Sequence, residues 1–130
     1  MMTQEESLKQ LLLKDLCARI PYYGLFCQTN KGKGTLISAE CSFGEALVYV
    51  DFGYQQVEEF DLDKDDVVKP YLRPMSSMTE EEKVEWFESV VPTMDCDKQL
   101  DFYCKHHFDY RGLIPRGLAF EAPEDMYKIK

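Results

Sequence analysis

The stretch Thr35-Leu-Ile-Ser-Ala-Glu-Cys-Ser-Phe-Gly-Glu-Ala-Leu-Val-Tyr-Val-Asp-Phe52 carries the reading of the fold. Its apolar residues recur at every second position, the period of a strand with one buried face. Ile37, Ala39 and Cys41 share one side of residues 35–41. Ala46, Val48, Val50 and Phe52 share one side of residues 45–52, with Leu47 and Tyr49 opposite. Ser42-Phe-Gly44 between them is a turn signal, so the two strands are antiparallel neighbours. Working outward, Asn30-Lys-Gly-Lys-Gly34 turns the chain from a strand at residues 23–28, and Gly53-Tyr54 turns it into a strand at residues 55–60. The result is a four-stranded antiparallel meander, predicted to form a bent sheet or small open barrel.

Helical periodicity flanks this sheet. Leu8, Leu12 and Leu16 recur at four-residue spacing, widened by Leu11, Leu13, Cys17 and Ile20, until Pro21 ends the helix. An apolar stripe this wide needs a surface, so the helix is expected to pack on the sheet. Pro70 and Pro74 bracket an extended Tyr71-Leu-Arg73. Thr79-Glu-Glu-Glu82 has the form of a capping box opening a helix with Val84, Phe87, Val90 and Val91 inward. Asp95 caps a further helix with Leu100, Tyr103, Cys104 and His107 on its buried stripe. Beyond Phe108, the mixture of Gly112, Pro115, Gly117 and Pro123 with apolar residues suits a tail that wraps back over the core. The predicted class is therefore α+β in a single domain spanning residues 1–130: an N-terminal helix, the meander, two later helices and the tail.

Charge is concentrated rather than spread. The 130 residues carry a net charge of −9. Residues 51–66 hold seven acids against one lysine, and residues 80–101 hold eight acids against two lysines. The remainder is mildly basic. Such a surface repels a nucleic-acid backbone, which argues against direct nucleic-acid binding. No apolar run reaches the roughly 20 residues that span a bilayer, so no membrane association is expected. Glu5 and Glu6 ahead of the first apolar stretch have the wrong charge for a signal peptide, so the expected compartment is the cytoplasm. There, Cys17, Cys27, Cys41, Cys96 and Cys104 read as free thiols, mostly packed as small apolar groups.

Several residue clusters invite a chemical reading. Asp61-Leu-Asp-Lys-Asp-Asp66 begins like a calcium loop, but Asp66 stands where that loop needs glycine and Leu72 where it needs glutamate. Cys96, Cys104, His106 and His107 are zinc-ligand types, yet a single helix cannot aim all four at one point. Lys31-Gly-Lys-Gly34 is too short for a phosphate loop. His106, His107, Asp109, Tyr110 and Arg111 are acid–base types, but no nucleophile elbow or phosphate loop accompanies them. The expectation is no metal, no cofactor and no catalytic residue.

Three stretches carry a resemblance. They are Leu13-Lys-Asp-Leu-Cys-Ala-Arg-Ile-Pro-Tyr22, Lys69-Pro-Tyr-Leu-Arg-Pro-Met-Ser-Ser-Met-Thr-Glu-Glu-Glu-Lys83 and His106-His-Phe-Asp-Tyr-Arg-Gly-Leu-Ile-Pro-Arg-Gly-Leu-Ala-Phe-Glu-Ala-Pro-Glu-Asp-Met-Tyr-Lys128. The chain resembles small proteins of unassigned activity from phages and integrated mobile elements of Bacteroides-group bacteria. The resemblance is dense in the second half and thin in the strand-rich middle. It implies a genetic setting, that of a phage or mobile-element accessory protein acting in a bacterial host cell.

Small size, clustered acidity and that setting together point to a non-catalytic protein that binds a bacterial host protein. The sharpest form is an inhibitor of a host defence nuclease, of the anti-CRISPR type, whose carboxylates imitate phosphates on a basic nucleic-acid-binding enzyme. Glu58, Glu59, Asp61, Asp63, Asp65 and Asp66 are the expected partner-binding residues. Three alternatives stand beside it. A small enzyme would use the 106–111 cluster in a concave pocket with a perturbed pKa. A nucleic-acid-binding module would stack bases on Tyr22, Tyr23, Phe26, Tyr49 and Tyr54, and needs Lys31, Lys33, Arg73, Arg111 and Arg116 on one face. A virion assembly protein would form a defined oligomer.

Overall fold

The computed structural model describes residues 3–22, 24–40, 46–54, 56–62, 64, 66–93 and 95–127. Tyr23, Cys41, the 42–44 turn, Asp63 and Asp65 therefore lie outside the described residues.

Helix α1, Gln4–Arg19, starts where the Thr3 hydroxyl accepts the Glu6 amide (3.1 Å), and it ends as expected before Pro21. Leu12, Leu13 and Leu16 are buried against the sheet. Strands β1 (Phe26–Thr29), β2 (Gly32–Glu40), β3 (Leu47–Asp51) and β4 (Val57–Asp61) follow as the antiparallel meander. The β1–β2 turn is tighter than its glycines suggest. Asn30 and Lys31 alone form it, and Thr29 Oγ1 closes it by donating to the Gly32 carbonyl (2.8 Å) and accepting from Lys31 N (3.1 Å). Gly34 sits inside β2 because a Cβ there would stand 2.5 Å from Val50 Cγ1 and 2.8 Å from Asp51 O.

The meander is one part of a larger sheet. Strand β5, Val68–Leu72, pairs antiparallel with β1, and the short β6, Phe120–Glu121, pairs parallel with β5. The sheet order is β4-β3-β2-β1-β5-β6, a six-stranded mixed sheet with open edges rather than a four-stranded sheet or barrel. Val68, Pro70 and Leu72 alternate inward along β5, and β6 takes up its pairing only at Tyr71, past the residue that has no N–H to give. A bulge between Leu36 and Ser38 changes the inward set of β2: Leu36, not Ile37, is buried, and Ala39 regains the core side opposite Val48.

The two later helices also differ from their sequence expectation. Helix α2, Glu80–Ser89, opens on the full capping box of Thr79 and Glu82 (3.2 and 2.9 Å). Its inward side chains are Trp86 and, just beyond its last turn, Val90. Val84, Phe87 and Val91 face out at 53, 66 and 37% exposure. Helix α3, Cys96–Lys105, is capped by Asp95, whose Oδ1 accepts the Asp97 amide (2.8 Å). It buries Phe102 and Cys104, while Leu100 is exposed. The tail does wrap back: Ala122 N donates to Leu72 O (2.8 Å), and Tyr127 Oη donates to Tyr71 O (2.7 Å) and accepts from Phe26 N (3.0 Å).

One polar group lies in the middle of all this. Asp15 and Arg19, one turn apart on α1, are both fully buried and doubly hydrogen-bonded (2.7 and 3.2 Å). Arg19 Nη2 also donates to the Phe108 carbonyl (2.7 Å). Arg111 Nε stands 3.2 Å from Asp15 Oδ1, off the line of its N–H, so it adds an ion contact and no hydrogen bond. A buried pair is costly to break singly because the survivor keeps its charge without a partner. Asp15→Leu is expected to lower unfolding free energy by about 3–5 kcal/mol, and Asp15→Leu with Arg19→Met by less than half of that. Urea denaturation checks it; equal losses in the single and double variants would mean the pair is not the source.

Candidate functional site

Three regions compete for the role of site. The first is the acidic strand β4, which forms one edge of the sheet. Side chains alternate across a strand, so its acids divide between two faces. Glu58 lies on the core side with Phe60, where Lys31 Nζ pairs with it at 3.0 Å and extends over the Phe60 ring. Glu59 is exposed on the opposite, uncovered face, across from Tyr49. Asp61 is half-buried opposite Leu47. Asp66 folds back so that its Oδ2 accepts the Asp61 amide (2.8 Å), and its carboxylate thereby braces the turn after β4. Asp63 and Asp65 lie outside the described residues.

The second acidic block sits elsewhere. Glu80, Glu81 and Glu88 are exposed on α2, Asp97 is exposed on α3, and Asp101 accepts a hydrogen bond from Tyr22 Oη. Both helices follow β5, four strand spacings from β4, or roughly 19 Å across the sheet. The two blocks are thus separate surfaces.

The third region is a groove of about 870 Å³ between the end of β5, the start of α2, the end of α3 and the tail. Arg73 forks onto Glu82 at 2.6 and 2.7 Å and lies over the Phe108 ring. His106 presents Nδ1 to Glu82 (3.1 Å) and Nε2 to Glu85 (3.0 Å), and Lys105 also reaches Glu85 (3.4 Å). Burial pushes the Glu82 carboxyl up, but the Arg73 hydrogen bonds, the Thr79 amide and the nearby His106 outweigh it and hold Glu82 at about 2. Glu85 is lowered in the same way, with His106 and Lys105 outweighing burial. The capping box pointed to Glu82 as a helix cap; nothing in the sequence marked it as the hub of an ionic cluster.

The acid–base candidates of the 106–111 stretch do not converge. His106 enters the groove. His107, at φ 61°, is buried against Tyr127 with ring centres 4.1 Å apart, and burial first, then Arg19, His106 and Arg73, holds its pKa down at about 4. Asp109 accepts the Leu113 and Ile114 amides (2.8 and 2.9 Å) and so anchors the tail turn. The Tyr110 ring stacks on Tyr103 and takes the guanidinium groups of Arg19 and Arg111 at 5.2 and 5.0 Å. Arg111 turns to Asp15.

The residues of the nucleic-acid reading scatter as well. Lys31 faces Glu58, Lys33 lies over Phe26 on the sheet face opposite the core, Arg73 faces Glu82 and Arg111 faces Asp15. Arg116 is exposed on the tail. Phe26 and Tyr49 lie on the sheet face opposite the core, with Phe26 stacked on Tyr127 (5.5 Å); Tyr22 leans on Asp101, and Tyr54 stands fully exposed at the β3–β4 turn. Among the described residues, no group of three or more His, Cys, Asp or Glu is placed to hold a metal ion. No helix among them is long and apolar enough to cross a membrane.

The depressed values of His107 and Glu82 each make part of the stability depend on pH. The unfolded chain takes up a proton at each group more readily than the folded one, so both contributions fade as pH falls. His107 acts between its ordinary 6.5 and about 4, and Glu82 between 4.5 and about 2. His107→Asn, which tolerates the positive φ, is expected to flatten the upper limb, and Glu82→Gln the lower. Urea midpoints from pH 8 to pH 2 test this; an unchanged upper limb in His107→Asn would assign that limb to another group. Compared with known proteins, the chain matches no protein-family model, no curated protein and no solved structure.

Proposed function

We propose that this is a non-catalytic accessory protein of a phage or mobile element that binds a bacterial host protein through its acidic surface. Its most specific form is an inhibitor of a host defence nuclease, of the anti-CRISPR type, that occupies a basic nucleic-acid-binding surface. The observation that carries the reading is the position of Glu58, Glu59 and Asp61 on an edge strand, continued by Asp66 in the next turn. An edge strand leaves outward backbone groups for a partner, apart here from the Asp61 amide that Asp66 takes, and carboxylates along it offer both charge and hydrogen-bonding capacity. The Glu58–Lys31 pair is about half exposed at both ends, and such pairs contribute at most about 1 kcal/mol. Glu58 can therefore exchange Lys31 for a cation of the partner at little cost.

The enzyme reading draws support from the groove beside His106 and from the lowered Glu82. Against it, the charged side chains there neutralise one another: Arg73 is taken up by Glu82, and both His106 nitrogens face carboxylates. A base in that state has no lone pair directed at a substrate. Binding is the better account of the whole surface.

The test is capture from nuclease-treated bacterial lysate at low salt. The unaltered protein is expected to retain a basic nucleic-acid-binding enzyme that raised salt releases. Replacing Glu58, Glu59, Asp61, Asp63, Asp65 and Asp66 with their amides should cut retention at least tenfold while circular dichroism stays unchanged. Equal retention by the amide variant would remove the β4 acids from the interface.

A further inference from the structure

Helix α2 turns apolar side chains towards solvent on one face. Val84, Phe87 and Val91 are 53, 66 and 37% exposed. Val84 and Phe87, three residues apart, share one face of the helix, the a-and-d spacing by which one helix seats another, and Val91 follows two residues beyond the helix end. The inward face of the same helix is satisfied by Trp86, stacked on Tyr103 and edge-on to Phe102, together with Val90. The stripe is therefore a surplus face.

Charge around the stripe selects what can cover it. Glu81 and Glu88 run along one flank, and Glu80 closes the N-terminal end; all three are exposed. Lys83 is the one cation of the helix, and it already pairs with Glu80 (3.2 Å). A second copy would bring like carboxylates together across a two-fold axis. Anionic lipid and nucleic acid meet the same repulsion, and helices that lie on membranes carry Lys or Arg on their polar face where α2 carries acids. A helix with apolar knobs and basic flanks satisfies both the shape and the charge.

We infer that the outer face of α2 is a docking ridge for a basic amphipathic helix of another protein, with Phe87 as its central anchor. The ridge is distinct from the β4 edge and does not depend on the acids there. Two helical 18-residue peptides test it, each with leucines at heptad a and d positions: one carries lysine at its remaining positions, and its control carries glutamate. Amide chemical-shift changes in the isotope-labelled protein report binding.

The lysine peptide is expected to shift residues 80–91 saturably, the glutamate peptide to leave them unmoved, and added salt to weaken the complex. Phe87→Asp should weaken binding at least tenfold with a nearly unchanged melting temperature, since two thirds of its surface faces solvent. The Glu58→Gln, Glu59→Gln variant should bind the lysine peptide as the unaltered protein does, which separates this ridge from the β4 surface. Undiminished binding by Phe87→Asp, or equal binding of the two peptides, would overturn the assignment. A monomer–dimer equilibrium abolished by Phe87→Asp would overturn it in favour of a second copy.

Discussion

The buried Asp15–Arg19 pair, with its third bond to the Phe108 carbonyl, is the constraint around which the two halves of the chain are arranged. It lies where α1 meets the end of α3 and the start of the tail, and it gives those segments a common, direction-specific tie. Apolar packing alone would let α1 slide or rotate on the sheet, because burial of leucines is indifferent to small shifts. A guanidinium with one carboxylate and one carbonyl to satisfy tolerates no such freedom. Tyr110 sits against the same guanidinium, and Phe108 hands its ring to Arg73 and the ionic groove. The groove and the α1–sheet core are thus two ends of one polar chain.

Strand alternation made the meander legible, and the Thr79 capping box and the Asp95 cap marked two helix starts. What escaped has specific causes. The Leu36–Ser38 bulge shifts the inward set by one residue without any signal in the composition. Pro70 and Pro74 disguised β5 as a connection, although Val68, Pro70 and Leu72 alternate as a strand should. Strand β6 is two residues long and exists only because the tail returns to Tyr71. Aspartate and arginine four apart on a helix read as a solvated pair, and nothing local reveals that α3 and the tail will cover them.

The candidate site was legible in position and not in arrangement. Glu58, Glu59 and Asp61 do sit on a strand at the sheet edge, but alternation divides them between two faces. The 106–111 stretch offered five chemically suggestive side chains in six positions, and the fold brings Tyr110 and Arg111 into contact while sending His106, His107 and Asp109 elsewhere. The apolar residues on and just after α2 illustrate the opposite error, in which hydrophobicity was read as burial although, among the described residues, it is Trp86 and Val90 that join the packed cluster.

Tyr127 has a consequence for the order of folding. Its hydroxyl joins Phe26 N, 101 positions earlier, to Tyr71 O, and the Arg19–Phe108 bond spans 89 positions. The meander is held by neighbouring strands and closes short loops, whereas these bonds close very long ones, whose entropy must be lost before the contact forms. During synthesis the first four strands can pair as they emerge, while the outer edge of β5 stays open until residues 120–122 have left the ribosome, and the Tyr127 bridge between β1 and β5 forms later still. The nascent chain therefore passes through a stage in which a finished acidic edge and an unfinished apolar one coexist on the same sheet.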